Sequence, residues 1–308
     1  MAPEPPASFM SSDPPGQPLV SSRLAELARD IKLSHTVFAL PFALLAVFLA
    51  AGGWPHAGQV GLILVCMVSA RTVGMGANRL LDARLDALNP RTRNRAVPAG
   101  RLSRRFVAGA IGVCGAVFLA ACGGFWVFYG NPWPLILGPA VLLFLMGYPL
   151  MKRYTALCHY YLGAALAAAP VCAYVAIAGD AAVPAFLLAG AVLFWTAGFD
   201  ILYACQDYQS DLETGTFSVP AKIGIPAAFW VARVSHVLAA GFLLALPAFT
   251  NQLEVIYLVG AGLACVLLMV EHAVVSPKDL SKLNLAFFTL NGCVSLTVGL
   301  LGIVDVLM

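Results

Sequence analysis

Apolar runs of about twenty residues recur nine times along this chain, and each is long enough as a helix to cross the ~30 Å hydrocarbon core of a bilayer. They cover approximately 34–52, 57–81, 103–123, 133–150, 158–178, 182–206, 225–247, 253–275 and 283–305. A chain built this way must satisfy its backbone hydrogen bonds within helices, because lipid offers no partners. Composition agrees. Hydrophobic residues make up 60% and charged residues 11%, against roughly 45–50% and 25% in soluble domains. The expected fold is therefore an all-α integral membrane protein, with no large soluble domain between spans and membrane lipid as its surroundings. No nucleic-acid partner is expected.

The loops alternate in charge. Arg23, Arg29 and Lys32, the Arg84–Arg105 cluster, Lys152 and Arg153, Lys222, and Lys278 and Lys282 fall on one side. The loops near 52–57, 124–132, 179–183 and 248–253 contain no Lys or Arg. By the positive-inside rule the basic side faces the cytoplasm, which puts the N-terminus inside and the C-terminus outside an inner (cytoplasmic) membrane. Residues 1–22 carry six prolines in the first twenty positions and read as a disordered cytosolic tail ahead of a single membrane domain, 23–308. Leu24, Leu27, Ala28 and Ile31 follow helical spacing behind a candidate Ser22 cap, as an amphipathic interfacial helix would. The eight cysteines show no CxxC spacing and read as small buried hydrophobes.

Against this background the carboxylates stand out. Five of the fifteen acidic residues lie in two stretches, Asn78-x-x-x-Asp82-x-x-x-Asp86 and Asp200-x-x-Tyr203-x-x-x-Asp207-x-x-x-Asp211. Ionised groups at a hydrocarbon edge are costly and mark functional sites. On one continuous α-helix, positions 78, 82 and 86 span roughly 80° of the circumference, and 200, 207 and 211 roughly 40°. Both stretches fall on the basic side, four spans apart. Four crossings return a chain to the same side, so two parallel four-helix halves plus a ninth helix are expected.

Oxygen ligands at this spacing suit a hard cation such as Mg²⁺, which keeps positions for water and phosphate oxygens. Two such clusters suit a diphosphate, whose charge needs bridging cations before it can approach carboxylates. The loop from Asn89 to Arg101 is basic and turn-rich, and its arginines can bind phosphate or simply mark the inner side. Tyr148 and Lys152, one turn apart, with Arg153 beside them, offer a further phosphate contact or an interface anchor. Arg71, inside the second span near the helical face of Asn78, requires an anionic partner, either a motif acid or a substrate carboxylate. Arg233 and His236 in the seventh span are weaker cases of the same kind.

Taken together, Asn78-x-x-x-Asp82-x-x-x-Asp86, Tyr148-x-x-x-Lys152 and Asp200-x-x-Tyr203-x-x-x-Asp207-x-x-x-Asp211 resemble the UbiA superfamily of intramembrane prenyltransferases, from the His35–Pro41 stretch onward. The resemblance implies nine transmembrane helices around a central cavity that opens laterally to lipid. It implies transfer of a prenyl chain from a polyprenyl diphosphate to an aromatic acceptor with Mg²⁺. Asn78, Asp82, Asp86, Asp207 and Asp211 would be the metal-binding set, and Asp82, Asp200, Asp207 and Asp211 the catalytic acids. Asn78, Arg71, Tyr148, Lys152, Arg153 and Tyr203 would bind substrate. Many members have Asp directly after the motif Asn, where this chain has Arg79. The run Tyr203-Ala-Cys-Gln-Asp207, followed by Phe217-Ser-Val-Pro220, resembles the 4-hydroxybenzoate polyprenyltransferase-like branch, some of whose members act in menaquinone synthesis through futalosine. The acceptor is then an aromatic acid, 4-hydroxybenzoate or a dihydroxynaphthoate, in ubiquinone or menaquinone synthesis. Prenyl chain length and oligomeric state are left open.

Two other classes share part of this pattern. A CDP-alcohol phosphotransferase also uses membrane-edge Asp-x-x-x-Asp, but expects one longer acidic array and about six spans. A transporter would place its ionisable groups nearer the bilayer midplane.

Overall fold

The computed structural model describes residues 20–31 and 38–308. Lys32, His35, residues 34–37 of the first expected span and residues 1–19 of the expected tail lie outside the described residues. Among the described residues, eight helical stretches are long and apolar enough to cross a membrane, and Leu40–Ala51 is a shorter apolar helix. The chain is a multi-pass, all-helical membrane protein.

In chain order the helices are α1 (Val20–Asp30), α2 (Leu40–Ala51), α3 (Ala57–Leu81), α4 (Ala83–Leu88), α5 (Arg104–Tyr129) and α6 (Trp133–Gly147). Next come α7 (Cys158–Ala178), α8 (Val183–Ala204), α9 (Tyr208–Thr214), α10 (Val219–Ile223), α11 (Ile225–Ala245) and α12 (Val255–Val274). The chain ends with α13 (Leu283–Leu285), which runs through a π turn at Ala286–Leu290 into α14 (Asn291–Leu307). A 3₁₀ turn, Tyr148–Arg153, extends α6, and another, Cys205–Asp207, joins α8 to α9. The packing order of the two halves is similar, α3 on α5 and α5 on α6 in the first, α8 on α11 and α11 on α12 in the second. Helix α2 packs against α7 and α14 and draws the halves together.

The third span is longer than expected. The span expected over 103–123 continues through Gly123 and Gly124 to Tyr129. A Cβ on Gly124 would lie 3.1 Å from Leu62 of α3, so this glycine permits close helix approach. The stop comes at Gly130, where φ is +70° and the amides of Gly130 and Asn131 close on the carbonyls of Trp126 and Phe125. A closer approach occurs between α7 and α8, where a Cβ on Gly163 would collide with the backbone carbonyl of Leu193.

Helix α1 begins at Val20, so Ser22 lies inside it and not at its cap. Its apolar face turns inward. Leu27 and Ile31 are buried against Ala96, Leu102 and Val107, while Leu24 stays exposed. The dock is completed by Arg79, only 2% exposed, whose Nε lies 3.0 Å from Asp30 Oδ2 and whose Nη2 donates to the Asp30 carbonyl at 2.8 Å. Asp30 Oδ1 also accepts the amide of Ala96 at 3.0 Å. One short helix is thereby fastened to the end of α3 and to the loop before α5.

Gly163→Ala is expected to cost about 1–3 kcal/mol through the blocked α7–α8 contact, while Gly61→Ala, whose Cβ meets nothing within 4 Å, leaves the melting temperature of the detergent-purified protein unchanged. Equal melting of the two variants would refute the tight crossing. Asp30→Ala strands the Arg79 guanidinium at a cost of about 3–5 kcal/mol, so trypsin cleavage at Arg23 and Arg29 should accelerate; an unchanged cleavage rate would show that the pair does not hold α1.

Candidate active site

Asp82 sits at the break between α3 and α4, and helical backbone bonds persist across it: Asp82 N to Asn78 O at 2.9 Å and Asp86 N to Asp82 O at 2.8 Å. The first acidic set therefore keeps its helical spacing. Asp82 is 0% exposed. Its Oδ2 receives Lys152 Nζ at 2.6 Å and Asn78 Nδ2 at 2.7 Å, and Arg153 Nη2 lies 3.7 Å from Oδ1. Burial raises the Asp82 pKa above the ordinary carboxylate value, against the opposing pull of Lys152. Arg153 also donates to the carbonyl of Leu81, so the 3₁₀ turn after α6 closes directly on the first motif.

Asp86 is gripped by Arg95, whose Nη1 reaches both carboxylate oxygens at 2.8 Å. The same loop crosses to the second motif. Asn89 Nδ2 donates to Asp207 Oδ1 at 2.8 Å, and Arg91 holds Asp207 in a fork, Nε to Oδ1 at 2.8 Å and Nη2 to Oδ2 at 2.5 Å. Arg91 also donates to the Tyr203 hydroxyl at 3.3 Å and lies over its ring. Two motifs separated by more than a hundred residues thus share one loop.

The second set does not lie on one continuous α-helix. The 3₁₀ turn at Cys205–Asp207 winds more tightly than an α-helix, at about 120° per residue, and rotates α9 relative to Asp200. Asp200 Oδ2 lies 2.7 Å from His159 Nδ1 of α7, while Asp211 Oδ2 accepts from Ser218 Oγ at 2.7 Å. The Ser218 segment is itself held, because Phe217 N donates to the Lys152 carbonyl at 2.7 Å. Lys152 therefore touches the first motif through its ammonium and the loop behind the second through its backbone.

Tyr148 and Arg71 line the polar end of an apolar cavity between α3, α5, α6 and α7. Its walls run past Met67 and Leu166 to Phe118 and Phe125. The Tyr148 hydroxyl donates to Met75 Sδ at 3.5 Å, and Arg71 Nη2 reaches the Ile31 carbonyl at 3.5 Å. On the other side, Tyr203 packs on Phe287 with ring centroids 4.3 Å apart, above a layer of Phe199, Trp195 and Phe38. Arg233 lies over Trp230 of its own helix, and buried His236 meets His272 of α12 at 3.0 Å, so these contacts lie away from the acidic cluster.

Several participants are hard to single out from the sequence. Arg91 and Arg95 are two of many loop arginines, Asp30 ends a short amphipathic helix, and His159 is a lone histidine in a span. Their pairing with motif residues appears only when distant segments meet. Arg79, which stands where many members of the resembled family carry Asp, pairs with Asp30 and donates to Asn78 Oδ1 at 2.6 Å.

Among the described residues no group of three His, Cys, Asp or Glu side chains is gathered closely enough to hold a metal. The donor chemistry nonetheless fits a hard cation. Every acid in the cluster offers oxygen, and Asp82 Oδ1 is buried without a hydrogen-bond partner.

Residues 39–292 match the UbiA prenyltransferase family. The 4-hydroxybenzoate octaprenyltransferase of Tolumonas auensis (strain DSM 9187 / NBRC 110442 / TA 4) is 32% identical over 244 residues, covering 77% of this chain and 82% of its own. That of Marinobacter nauticus (strain ATCC 700491 / DSM 11845 / VT8) is 34% identical over 212 residues, covering 67% and 69%. The apo structure of a UbiA homolog from Aeropyrum pernix K1 superposes with a TM-score of 0.79 at 28% identity, over 89% of this chain and 99% of that one. A UbiA homolog from Archaeoglobus fulgidus bound to DMAPP and Mg²⁺ shares the fold at a TM-score of 0.61 and 16% identity, over 89% and 99%. With the family match spanning α2 to the start of α14, this chain belongs to the UbiA prenyltransferase family.

Proposed function

We propose that this prenyltransferase moves a polyprenyl group from its diphosphate to a ring carbon of an aromatic acid, 4-hydroxybenzoate or a dihydroxynaphthoate, as a step of quinone synthesis. The carrying observation is the meeting of two carboxylate motifs and four basic side chains, Arg91, Arg95, Lys152 and Arg153, beside an apolar cavity. Relatives named 4-hydroxybenzoate octaprenyltransferase support the aromatic-acid acceptor. The basic loops support an inner-membrane site facing the cytoplasm.

In this reading Asn78, Asp82, Asp86, Asp207 and Asp211 hold Mg²⁺, which when bound supplies positive charge that stabilises the leaving diphosphate. The side chains that now neutralise these acids are the ones available to diphosphate oxygens. Lys152 and Arg153 take that part, with Tyr148 and Arg71 at the polar end of the cavity. The prenyl chain lies along the apolar walls, which keep water from the reacting carbon. The allylic C–O bond breaks with its electron pair on the diphosphate, a ring carbon beside the phenol oxygen supplies the pair for the new C–C bond, and the ring proton passes to a carboxylate. Asp200 and Tyr203, on the side of the aromatic layer, serve the acceptor.

Membranes containing the full chain, given polyprenyl diphosphate, Mg²⁺ and 4-hydroxybenzoate or a dihydroxynaphthoate in parallel, should yield the prenylated acid, and the faster of the two acceptors identifies the ring. Chelation of divalent cations should abolish product. Asp82→Asn should lower kcat by about 100-fold or more, and full activity in that variant would remove Asp82 from the metal set. Lys152→Ala should raise KM for the diphosphate roughly tenfold with a smaller effect on kcat; the opposite split would argue that Lys152 acts on the chemical step alone.

A further inference from the structure

His159 is a buried polar group outside the proposed diphosphate-binding set that is tied directly to a motif acid. It is 3% exposed, at the second residue of α7. Its Nδ1 lies 2.7 Å from Asp200 Oδ2, and its Nε2 accepts the backbone N–H of Val219 at 3.2 Å. A ring nitrogen that accepts from an amide presents a lone pair, so the ring proton sits on Nδ1 and is donated to Asp200. Such a ring is an acceptor on one edge and a donor on the other. Its two partners come from different elements, the end of α8 and the first residue of α10.

Both partners belong to the second motif's surroundings. Val219 follows Ser218, whose hydroxyl holds Asp211, and Asp200 precedes Tyr203, whose hydroxyl receives Arg91. Asp200 Oδ1, by contrast, is engaged by none of the described residues. A carboxylate with one oxygen fixed and the other open has a defined direction.

We infer that His159 is a positioning residue for the prenyl transfer: its Nδ1–H fixes Asp200 Oδ2 and thereby aims Oδ1 at the acceptor ring. This rests on the proposed reading, in which Asp200 serves the aromatic acid. The Val219 N–H in turn fixes the tautomer that makes the donation available. His159 touches neither substrate.

Two isosteric replacements separate this role from simple packing. In His159→Asn the amide nitrogen stands near the place of Nδ1 and still donates to Asp200. In His159→Gln the longer side chain reaches the place of Nε2 and can accept from Val219, but leaves Nδ1 without a counterpart. With the detergent-solubilised full chain, polyprenyl diphosphate, Mg²⁺ and the better aromatic acid, His159→Gln should lower kcat about 100-fold. His159→Asn should recover at least tenfold of that loss. KM for the diphosphate should move less than about threefold in either variant. In an Asp200→Asn background, His159→Gln should cause no further loss, because the carboxylate it orients is gone. Thermal melting of every variant reports folding separately. The inference is overturned if His159→Gln keeps wild-type kcat, if Gln is more active than Asn, or if the losses multiply in the double variant. Absence of any prenylated acid from the wild-type chain would instead overturn the parent reading.

Discussion

Carboxylates at the edge of a hydrocarbon layer must be compensated, and the architecture of this protein depends on where the compensation comes from. Asp82 is closed off from solvent and meets Lys152 and Arg153 from the end of α6. Asp86 is paired by Arg95, and Asp207 by Arg91 and Asn89, all three from the loop after the first motif. Removing one partner from such a pair leaves an uncompensated charge, at about 3–5 kcal/mol where burial is deep. The basic loop is therefore as much a part of the site as the acids. It bridges the motifs, and it carries cations to the place where a diphosphate would need them.

The same reasoning accounts for Arg79. Replacement of an acid by Arg in the first motif would leave a buried cation, but α1 delivers Asp30 to it. The motif then has one carboxylate fewer and one more structural tie. The exchange couples the N-terminal helix to Asn78, since a single guanidinium contacts both Asp30 and the Asn78 amide oxygen. Packing of Leu27 and Ile31 against the loop before α5 adds an apolar contribution to the same dock.

The two sides of the site differ in physical character. Toward α3, α5, α6 and α7 the walls are mostly aliphatic and line a cavity whose polar end carries Tyr148 and Arg71. Toward α8 and the π turn before α14 they are aromatic, with Tyr203, Phe287 and Phe199 in successive contact. In the proposed function the isoprenyl chain takes the first and the aromatic ring the second. The carboxylates lie where these surfaces meet the basic loops.

Sequence periodicity was sufficient for the helical class, for most span boundaries and for the side on which the acids gather, because membrane crossing imposes a length and a charge asymmetry that local composition must obey. The 57–81 and 158–178 spans coincide with α3 and α7, whereas α5 outruns its expected end because Gly124 serves a helix contact and Gly130 the stop. The motif acids were legible from their spacing for the same local reason. Their partners were not. Arg91 and Asp207 are 116 positions apart, and His159 and Asp200 are 41 apart. The continuous helix expected through Asp200, Asp207 and Asp211 is likewise interrupted by a 3₁₀ turn that their spacing does not announce. A helix repeat is a property of neighbours along the chain, while a hydrogen bond between loops depends on how the whole bundle closes. Local sequence thus dictates which residue types gather at one side of a membrane, whereas the cation that each acid holds and the direction in which Asp200 points belong to the folded bundle.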